Sequence, residues 1–244
     1  MLKKVEFINW LKKITMRNVF LYKIWFFCIR EYRGDYVRLP CVDDHFYFDG
    51  YPRSGNTFFA NLVGKVYPDK RFAHHLHVIS GLKIALNFGL PTFVIIREPK
   101  DSVASNLYRI VVENKRKTPN PKRIERLLIS YYNYYSFVKE HIDDINVVRF
   151  DLCVNNELLL IHLIAETVGF EVRSDNSLKE TLNDYRAMMK KTEAQKDTQA
   201  SSLPNNQRMN FKKEYLSNVL NSPSYSMAED LYNEIASLDL FKKN

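Results

Sequence analysis

The chain has 244 residues, of which 45% are hydrophobic and 26% charged, a composition typical of one globular domain rather than a disordered chain. Its three cysteines, Cys28, Cys41 and Cys153, are too few and too widely spaced for a disulfide framework or a cysteine-rich zinc module. The net charge is +8, but residues 1–33 hold eight Lys/Arg against two acidic residues. Because the excess belongs to one terminal segment, the charge argues against a basic nucleic-acid-binding domain.

This basic N-terminal segment is rich in aromatic residues and allows two interpretations. Its longest stretch without a charged residue, Ile24 to Ile29, is far shorter than the roughly 20 residues that a membrane-spanning helix needs. Lys12 and Lys13 interrupt the only candidate core of a signal peptide, which favours a cytoplasmic protein. Either residues 19–29 pack on the domain, or residues 1–33 make peripheral contact with an anionic membrane surface.

The rest of the chain alternates between predicted strands and predicted helices. Short apolar or aromatic runs bounded by turn residues predict strands at 46–51, 91–96 and 145–150. Apolar residues at helical spacing predict helices at 58–66, 79–88, 100–112, 124–141, 156–168 and 227–238.

Such alternation predicts parallel βαβ units and an α/β fold, a single three-layer domain with a central parallel sheet. The domain is expected to span residues 41–244, after an N-terminal segment of residues 1–40. Residues 113–122 are predicted to form a basic loop. Residues 190–210 contain few large apolar side chains and are predicted to form a mobile loop.

A candidate phosphate-binding loop, GYPRSGNT at 50–57, lies between the first predicted strand and the helix that follows. Its spacing matches the P-loop pattern G-x-x-x-x-G-K-[ST], except that Asn56 replaces the lysine. Gly55 permits a sharp turn, and the helix N terminus adds roughly half a positive charge where the following amides meet an anion. Without the lysine, ATP hydrolysis is not expected. The pattern instead predicts another phosphorylated ligand, held by backbone amides and Arg53.

A second candidate phosphate site follows the predicted strand at 91–96. Arg97 comes at the carboxyl end of this strand, where parallel α/β sheets bind ligands. Ser105 comes two helical turns further on, so that Arg97 and Ser105 are expected to bind one phosphate together. An ion pair between Arg97 and Asp101 is the alternative.

Together the two segments resemble two motifs of the PAPS-dependent sulfotransferase superfamily of the cytosolic type. YPRSGNTF at 51–58 resembles its loop for the 5′-phosphosulfate, and REPKDSVAS at 97–105 resembles its segment for the 3′-phosphate. The resemblance covers roughly residues 46–170. It implies transfer of a sulfonate group from 3′-phosphoadenosine-5′-phosphosulfate (PAPS) to an acceptor hydroxyl or amine, with PAP as the product and no metal.

The resemblance also implies a role for each matching residue. Arg53 stands at the position of the family's loop lysine, which contacts the bridging oxygen and the transferred sulfonate. Phe58 stands where the family usually has a tryptophan that packs on the adenine. The 3′-phosphate would be bound by Arg97 and Ser105. The 5′-phosphate would be bound by Ser54, Gly55, Asn56 and Thr57.

Three of the six histidines, His74, His75 and His77, form one cluster. The family's catalytic histidine precedes the 3′-phosphate arginine by about twenty residues within a His-Leu motif, and His75 precedes Arg97 by 22. The resemblance therefore implies that His75 is the general base, with His74 as the second candidate and His77 as the third. A metal site and a structural cluster are alternatives, although His-x-His supplies too few ligands for a metal.

The family's C-terminal Arg-Lys-Gly motif has no clean counterpart in this chain. The nearest stretch is QRMNFKK at 207–213, in which Arg208 and Lys212 are candidates for a further contact to the 3′-phosphate. By the same resemblance, the predicted loop at 190–210 would be a lid over the nucleotide.

The residues do not specify the acceptor, which is a small molecule, a glycan or a lipid, nor do they specify the oligomeric state. Three other interpretations remain open. One is a kinase-like P-loop nucleotide-binding protein, and another is a non-catalytic module that binds PAP or a membrane. The third is a polyanion-binding protein that uses residues 1–33 and the basic residues at 115–126.

Overall fold

The computed structural model describes residue 14 and residues 18–33, 38–113, 120–171, 174–195 and 206–238. The strands are β1 (Phe46–Gly50), β2 (Phe72–His74), β3 (Thr92–Ile96) and β4 (Ile145–Arg149). The helices are α1 (Val19–Arg33), α2 (Asn56–Val66), α3 (Ile79–Asn87), α4 (Pro99–Glu113), α5 (Pro121–Glu140), α6 (Phe150–Asn155), α7 (Glu157–Val168), α8 (Asp175–Gln195), α9 (Asn206–Leu220) and α10 (Tyr225–Ser237).

The strands form one parallel sheet in the order β2-β1-β3-β4. Phe48 of β1 pairs with Phe93 of β3, and Val94 of β3 pairs with Val147 of β4. Every residue of β1 and β3 is buried, as expected for central strands covered by helices on both faces. This confirms the predicted single α/β domain with a central parallel sheet.

Two hydrophobic clusters lie on opposite faces of the sheet, because successive side chains of a strand point to opposite faces. On β3, Val94 and Ile96 belong to one cluster, whereas Phe93 and Ile95 belong to the other. Helices α1, α3, α4, α5, α9 and α10 contribute to the first cluster. Helices α2, α6, α7 and α8 contribute to the second. The chain is therefore built in three layers.

The prediction of a loop over residues 190–210 is wrong at both ends. Helix α8 continues to Gln195, and helix α9 begins at Asn206. The middle of that predicted loop, residues 196–205, lies outside the described residues, as do residues 114–119 of the predicted basic loop. Helix α8 is stable despite its polar composition because Leu178, Leu182 and Tyr185 are buried in the second cluster.

The parallel arrangement brings the carboxyl ends of all four strands to one edge of the sheet. β1 ends at Gly50 and runs into the loop before α2, and β2 ends at His74 within the histidine cluster. Arg97 follows the end of β3, and Phe150 follows the end of β4. Segments far apart in sequence thus meet at the edge where open α/β sheets bind ligands.

Candidate functional site

The loop between β1 and α2 makes a tight turn that depends on its two glycines. A Cβ atom on Gly50 would lie 2.6 Å from the carbonyl oxygen of Ile95, so only glycine permits this approach of the two strands. Gly55 has a φ of 91°, and Arg53 also lies in the left-handed region with a φ of 73°. Among the described residues, no side chain caps α2 at Gly55. The first amides of α2 are therefore suited to an anion.

Asn56 holds this loop from beneath. It is buried, and its Nδ2 donates hydrogen bonds to the carbonyl oxygens of Gly50 at 3.1 Å and Tyr51 at 3.2 Å. A P-loop lysine at this position would extend toward the phosphates, whereas the side chain of Asn56 is hydrogen-bonded to the backbone of the loop. The residue at 56 can therefore offer an anion its backbone amide only.

Two tyrosines of α5 fix the loop and the end of β3. The hydroxyl of Tyr135 donates to the carbonyl of Ile95 at 2.7 Å and accepts the amide of Tyr51 at 3.2 Å. The hydroxyl of Tyr131 donates to the carbonyl of Arg97 at 2.7 Å. The side chain of Ser54 is fully buried, with its hydroxyl 3.4 Å from that of Tyr135. Its amide donates to the carbonyl of Tyr51, so both groups of Ser54 are engaged within the protein.

Three residues from the two predicted phosphate segments, Arg53, Arg97 and Ser105, lie close together in the structure. We call these three residues the arginine side. Nε of Arg53 donates to Oγ of Ser105 at 3.1 Å, and Nη1 of Arg97 donates to the carbonyl of Arg53 at 2.9 Å. These contacts join residues 52 and 44 positions apart in sequence. Two guanidinium groups and a hydroxyl therefore lie together beside the loop, and all are donors that suit phosphate oxygens.

Phe150, the first residue of α6, belongs to the same site. The guanidinium carbon of Arg97 lies 4.2 Å from the centre of its ring, a cation–π contact that fixes the arginine. A Cβ atom on Gly55 would lie 2.8 Å from the same ring, so Phe150 also packs against the loop. The available signal was its position directly after a parallel strand. A cavity of about 250 Å³ opens beside Arg97 and Phe150 and extends to Asp151 and Tyr232.

The three histidines at the end of β2, His74, His75 and His77, form what we call the histidine side of the loop. Nε2 of His75 is 3.0 Å from Oγ1 of Thr57, in the first turn of α2. The Nδ1 atoms of His74 and His75 are hydrogen-bonded to each other, so one ring donates and the other accepts. The predicted general base and the predicted phosphate loop are thus in direct contact.

Burial keeps two of these imidazoles uncharged at neutral pH. Burial lowers the pKa of His74 to about 4, although the negative charge of Asp49 acts in the opposite direction. Burial, followed by the neighbouring rings of His74 and His77, lowers the pKa of His75 to about 3. Both rings are therefore neutral at pH 7, with a lone pair on one nitrogen each.

Asp49, fully buried at the end of β1, organises the third histidine. Its Oδ2 accepts the hydroxyl of Tyr47 at 2.6 Å and the amide of His77 at 2.8 Å. Nδ1 of His77 lies 3.0 Å from its other oxygen and donates to the carbonyl of Gly50 at 2.7 Å. Burial raises the pKa of Asp49, but the charge and hydrogen bonds of His77 outweigh it and lower that pKa below its ordinary value.

Two further predicted residues lie at the borders of the site. The half-buried ring of Phe58 packs against Tyr185 of α8, at 5.3 Å between ring centres. Arg208 is on α9, which packs on α4 through the rings of Phe211 and Tyr108, one turn beyond Ser105. The side chains of Arg208 and Lys212 lie outside the described residues. In the described part of the chain, no group of three metal-ligating side chains is arranged to hold a metal ion.

Comparison with known proteins identifies the fold. It is similar to that of the mouse sulfotransferase SULT7A1, whose structure was solved in complex with PAP. The likeness has a TM-score of 0.53 and a sequence identity of 14%, and it covers 84% of this chain and 90% of that chain. No protein-family model and no curated protein sequence matches the chain. A likeness at this identity shows the fold alone.

Proposed function

We propose that the chain is a PAPS-dependent sulfotransferase that transfers a sulfonate group to an acceptor hydroxyl or amine. The observation that carries the proposal is the contact between the two phosphate segments, in which Arg53 is bound to Ser105 and Arg97 to the carbonyl of Arg53. The likeness in fold to a PAP-bound sulfotransferase supports the same conclusion. The acceptor would be a small molecule, a glycan or a lipid.

The donors of this site suit a ligand that carries phosphates at two positions. The uncapped first turn of α2, at 55–58, would hold the 5′-phosphate through its backbone amides, that of Thr57 included. Arg97 and Ser105 would hold the 3′-phosphate, and Arg208 on α9 is a further candidate for it. Phe58 would pack against the adenine. Because Asn56 binds the loop backbone, an ATP-hydrolysing P-loop is disfavoured.

PAPS would supply the sulfonate group. Its sulfur would bond to the acceptor oxygen or nitrogen as the bond between sulfur and the bridging oxygen of the 5′-phosphate breaks. Arg53 would neutralise the negative charge that develops on the bridging oxygen. The loop amides would share this task, because a helix N terminus carries partial positive charge. As in phosphoryl transfer, the protein positions the groups and stabilises charge.

His75 would accept the acceptor's proton at Nε2, and the contact with His74 decides whether it is able to do so. Only when Nδ1 of His75 donates to Nδ1 of His74 does Nε2 carry the lone pair that a base needs. His74 would therefore select the reactive tautomer, as carboxylates do for the histidine of other enzymes. Thr57 would hold the ring through its 3.0 Å contact until the acceptor binds.

The first test is calorimetric binding of PAP, AMP and ATP to the wild type and to Arg97→Ala. We expect PAP to bind more tightly than either of the other nucleotides. Arg97→Ala should weaken PAP binding by roughly 10- to 100-fold, because a hydrogen bond to a charged group is worth about 1.5–3 kcal/mol. AMP lacks the 3′-phosphate, so its affinity should change little.

Arg109→Ala is the matched control, since this exposed arginine lies on the same helix as Ser105 but one turn beyond it. Equal affinity for PAP and AMP in the wild type would contradict the proposal. Tight PAP binding without sulfonate transfer to any of a panel of phenol, glycan and lipid acceptors would instead favour a non-catalytic PAP-binding module.

A further inference from the structure

The described side chains of helix α1 form two apolar faces, one packed on the domain and one exposed. Tyr22 and Phe26 are buried in the first hydrophobic cluster, and Val19 and Trp25 pack against it. The ring centres of Tyr22 and Trp25 are 5.7 Å apart in a stacked arrangement. These contacts seat the helix on the domain.

The opposite face carries large apolar side chains in contact with water. Phe20, Ile24 and Phe27 follow one another at spacings of four and three residues and are 70%, 48% and 62% exposed. Phe88, at the end of α3, is also exposed, and Nζ of Lys23 lies 5.9 Å from the centre of its ring. We call Phe20, Ile24, Phe27 and Phe88 the apolar stripe. A helix that faces only water carries polar residues here, so such a patch indicates a partner.

The charge around the stripe indicates the chemistry of that partner. Residues 1–33 hold eight Lys/Arg against two acidic residues, and the whole chain carries a net charge of +8. In sequence, Arg17 precedes the stripe, and Arg30 and Arg33 follow it. A second copy of the chain would bring the same positive charge against this face. A surface that is negatively charged outside and apolar beneath matches both properties.

We propose that the apolar stripe docks on an anionic membrane surface, with its side chains in the boundary between headgroups and acyl chains and the basic residues at the phosphates. This is the binding mode of amphipathic helices that lie in the interface, which combine apolar burial with attraction to anionic lipids. Helix α1 has 15 residues, and no helix in the described part of the chain is long and apolar enough to cross a bilayer. The proposal is independent of the proposed sulfotransferase activity.

The test is flotation of the full chain with phosphatidylcholine vesicles that contain or lack phosphatidylserine, at low and high salt. We expect binding that requires phosphatidylserine and weakens with salt. The variant F20S/I24S/F27S should bind at least tenfold more weakly, although its net charge is unchanged. The matched control is V42S/V154S/M188S, which changes three other exposed apolar residues and should bind as the wild type does.

A second measurement covers the case in which the triple variant fails to fold. With the native Trp10 and Trp25 replaced by phenylalanine, the fluorescence of Phe27→Trp should be quenched by lipids brominated on their acyl chains, whereas that of Val42→Trp should not. The proposal is overturned if the wild type ignores phosphatidylserine or if F20S/I24S/F27S binds normally. It is also overturned if Phe27→Trp is no more quenched than Val42→Trp, or if the stripe mediates a dimer without lipid that the triple variant loses.

Discussion

On the arginine side of the β1–α2 loop, two guanidinium groups lie against Ser105 and a backbone carbonyl. On the histidine side, burial keeps His74 and His75 neutral, and Asp49 contributes a buried carboxylate. The loop thus separates a cationic region from a region that holds two neutral rings and a carboxylate, although both lie at the same edge of the sheet.

This difference assigns the two sides different tasks in the proposed reaction. A permanent positive charge binds phosphate and stabilises a leaving group, but arginine does not exchange protons at neutral pH. A neutral imidazole accepts a proton but adds no charge for anion binding. Substitutions on the histidine side should therefore change turnover and acid stability, and substitutions of Arg97 or Ser105 on the arginine side should change nucleotide affinity.

The largest effect is expected for His75→Ala. Loss of a general base lowers turnover by about 10²- to 10⁴-fold, while PAP affinity should stay near that of the wild type. His74→Ala should lower turnover by a smaller factor, about tenfold, because it removes only the tautomer selection. The measurement is sulfonate transfer beside PAP calorimetry. His162→Ala, an exposed histidine outside the site, is the control, and full activity of His75→Ala would move the role to His74 or His77.

The same two histidines should make the fold sensitive to acid. Their folded pKa values, about 4 and about 3, lie below the value of about 6.5 in an unfolded chain. Between pH 6.5 and pH 4 the unfolded state binds protons that the native state does not, so stability falls as the pH falls. The loss should be on the order of a few kcal/mol.

Urea unfolding at pH 7, 5.5 and 4.5 measures this loss. The variant H74Q/H75Q should make the free energy of unfolding less dependent on pH. Asp49 acts in a separate window, because a carboxyl with a lowered pKa loses its contribution only below about pH 4. An equally steep slope in H74Q/H75Q would mean that the burial of these rings does not set the acid sensitivity.

The sequence predicted the fold, and the turn after β1, where the signal is local. Buried runs such as Thr92–Ile96 identify central parallel strands by composition alone, and the two glycines of the loop mark its turn. Helix α8 was missed because polar residues dominate it, although Leu178, Leu182 and Tyr185 recur at helical spacing. β2 was missed because a strand of three residues is too short to show an alternation of apolar and polar side chains.

The long-range contacts of the site could not be predicted from local sequence patterns. The position of Asn56 beneath the loop depends on the close approach of Gly50 to the neighbouring strand, which only tertiary structure sets. The contact of Phe150 with Arg97 joins two strand ends, and the hydrogen bonds of Asp49 join β1 to the turn after β2. A sequence motif identifies candidate ligand-binding residues, but it does not identify the residues that position them.

Two glycines of the same region test whether the loop itself is specialised. Gly55→Ala places a Cβ atom 2.8 Å from the ring of Phe150 at a φ of 91°, which should cost about 1–3 kcal/mol of stability. Gly64→Ala, on α2 with nothing within 4 Å of the new atom, should instead stabilise by about 0.5–1 kcal/mol. Denaturant unfolding measures both changes, and PAP binding should weaken only in Gly55→Ala. Equal behaviour of the two variants would show that the tight turn is dispensable.

The smallest expected effect belongs to Phe150, whose cation–π contact with Arg97 links it to the arginine side. Phe150→Leu keeps an apolar side chain but removes the cation–π contact, which is worth about 0.5–2 kcal/mol. PAP affinity should fall by about two- to tenfold, turnover at saturating nucleotide should hold, and AMP affinity should change less. Phe170→Leu removes a comparable contact, with Lys70 at 4.9 Å, at a place remote from the loop and should leave PAP affinity unchanged. A fall in turnover without a fall in affinity would break the division between the two sides, because Phe150 touches no group on the histidine side that accepts a proton.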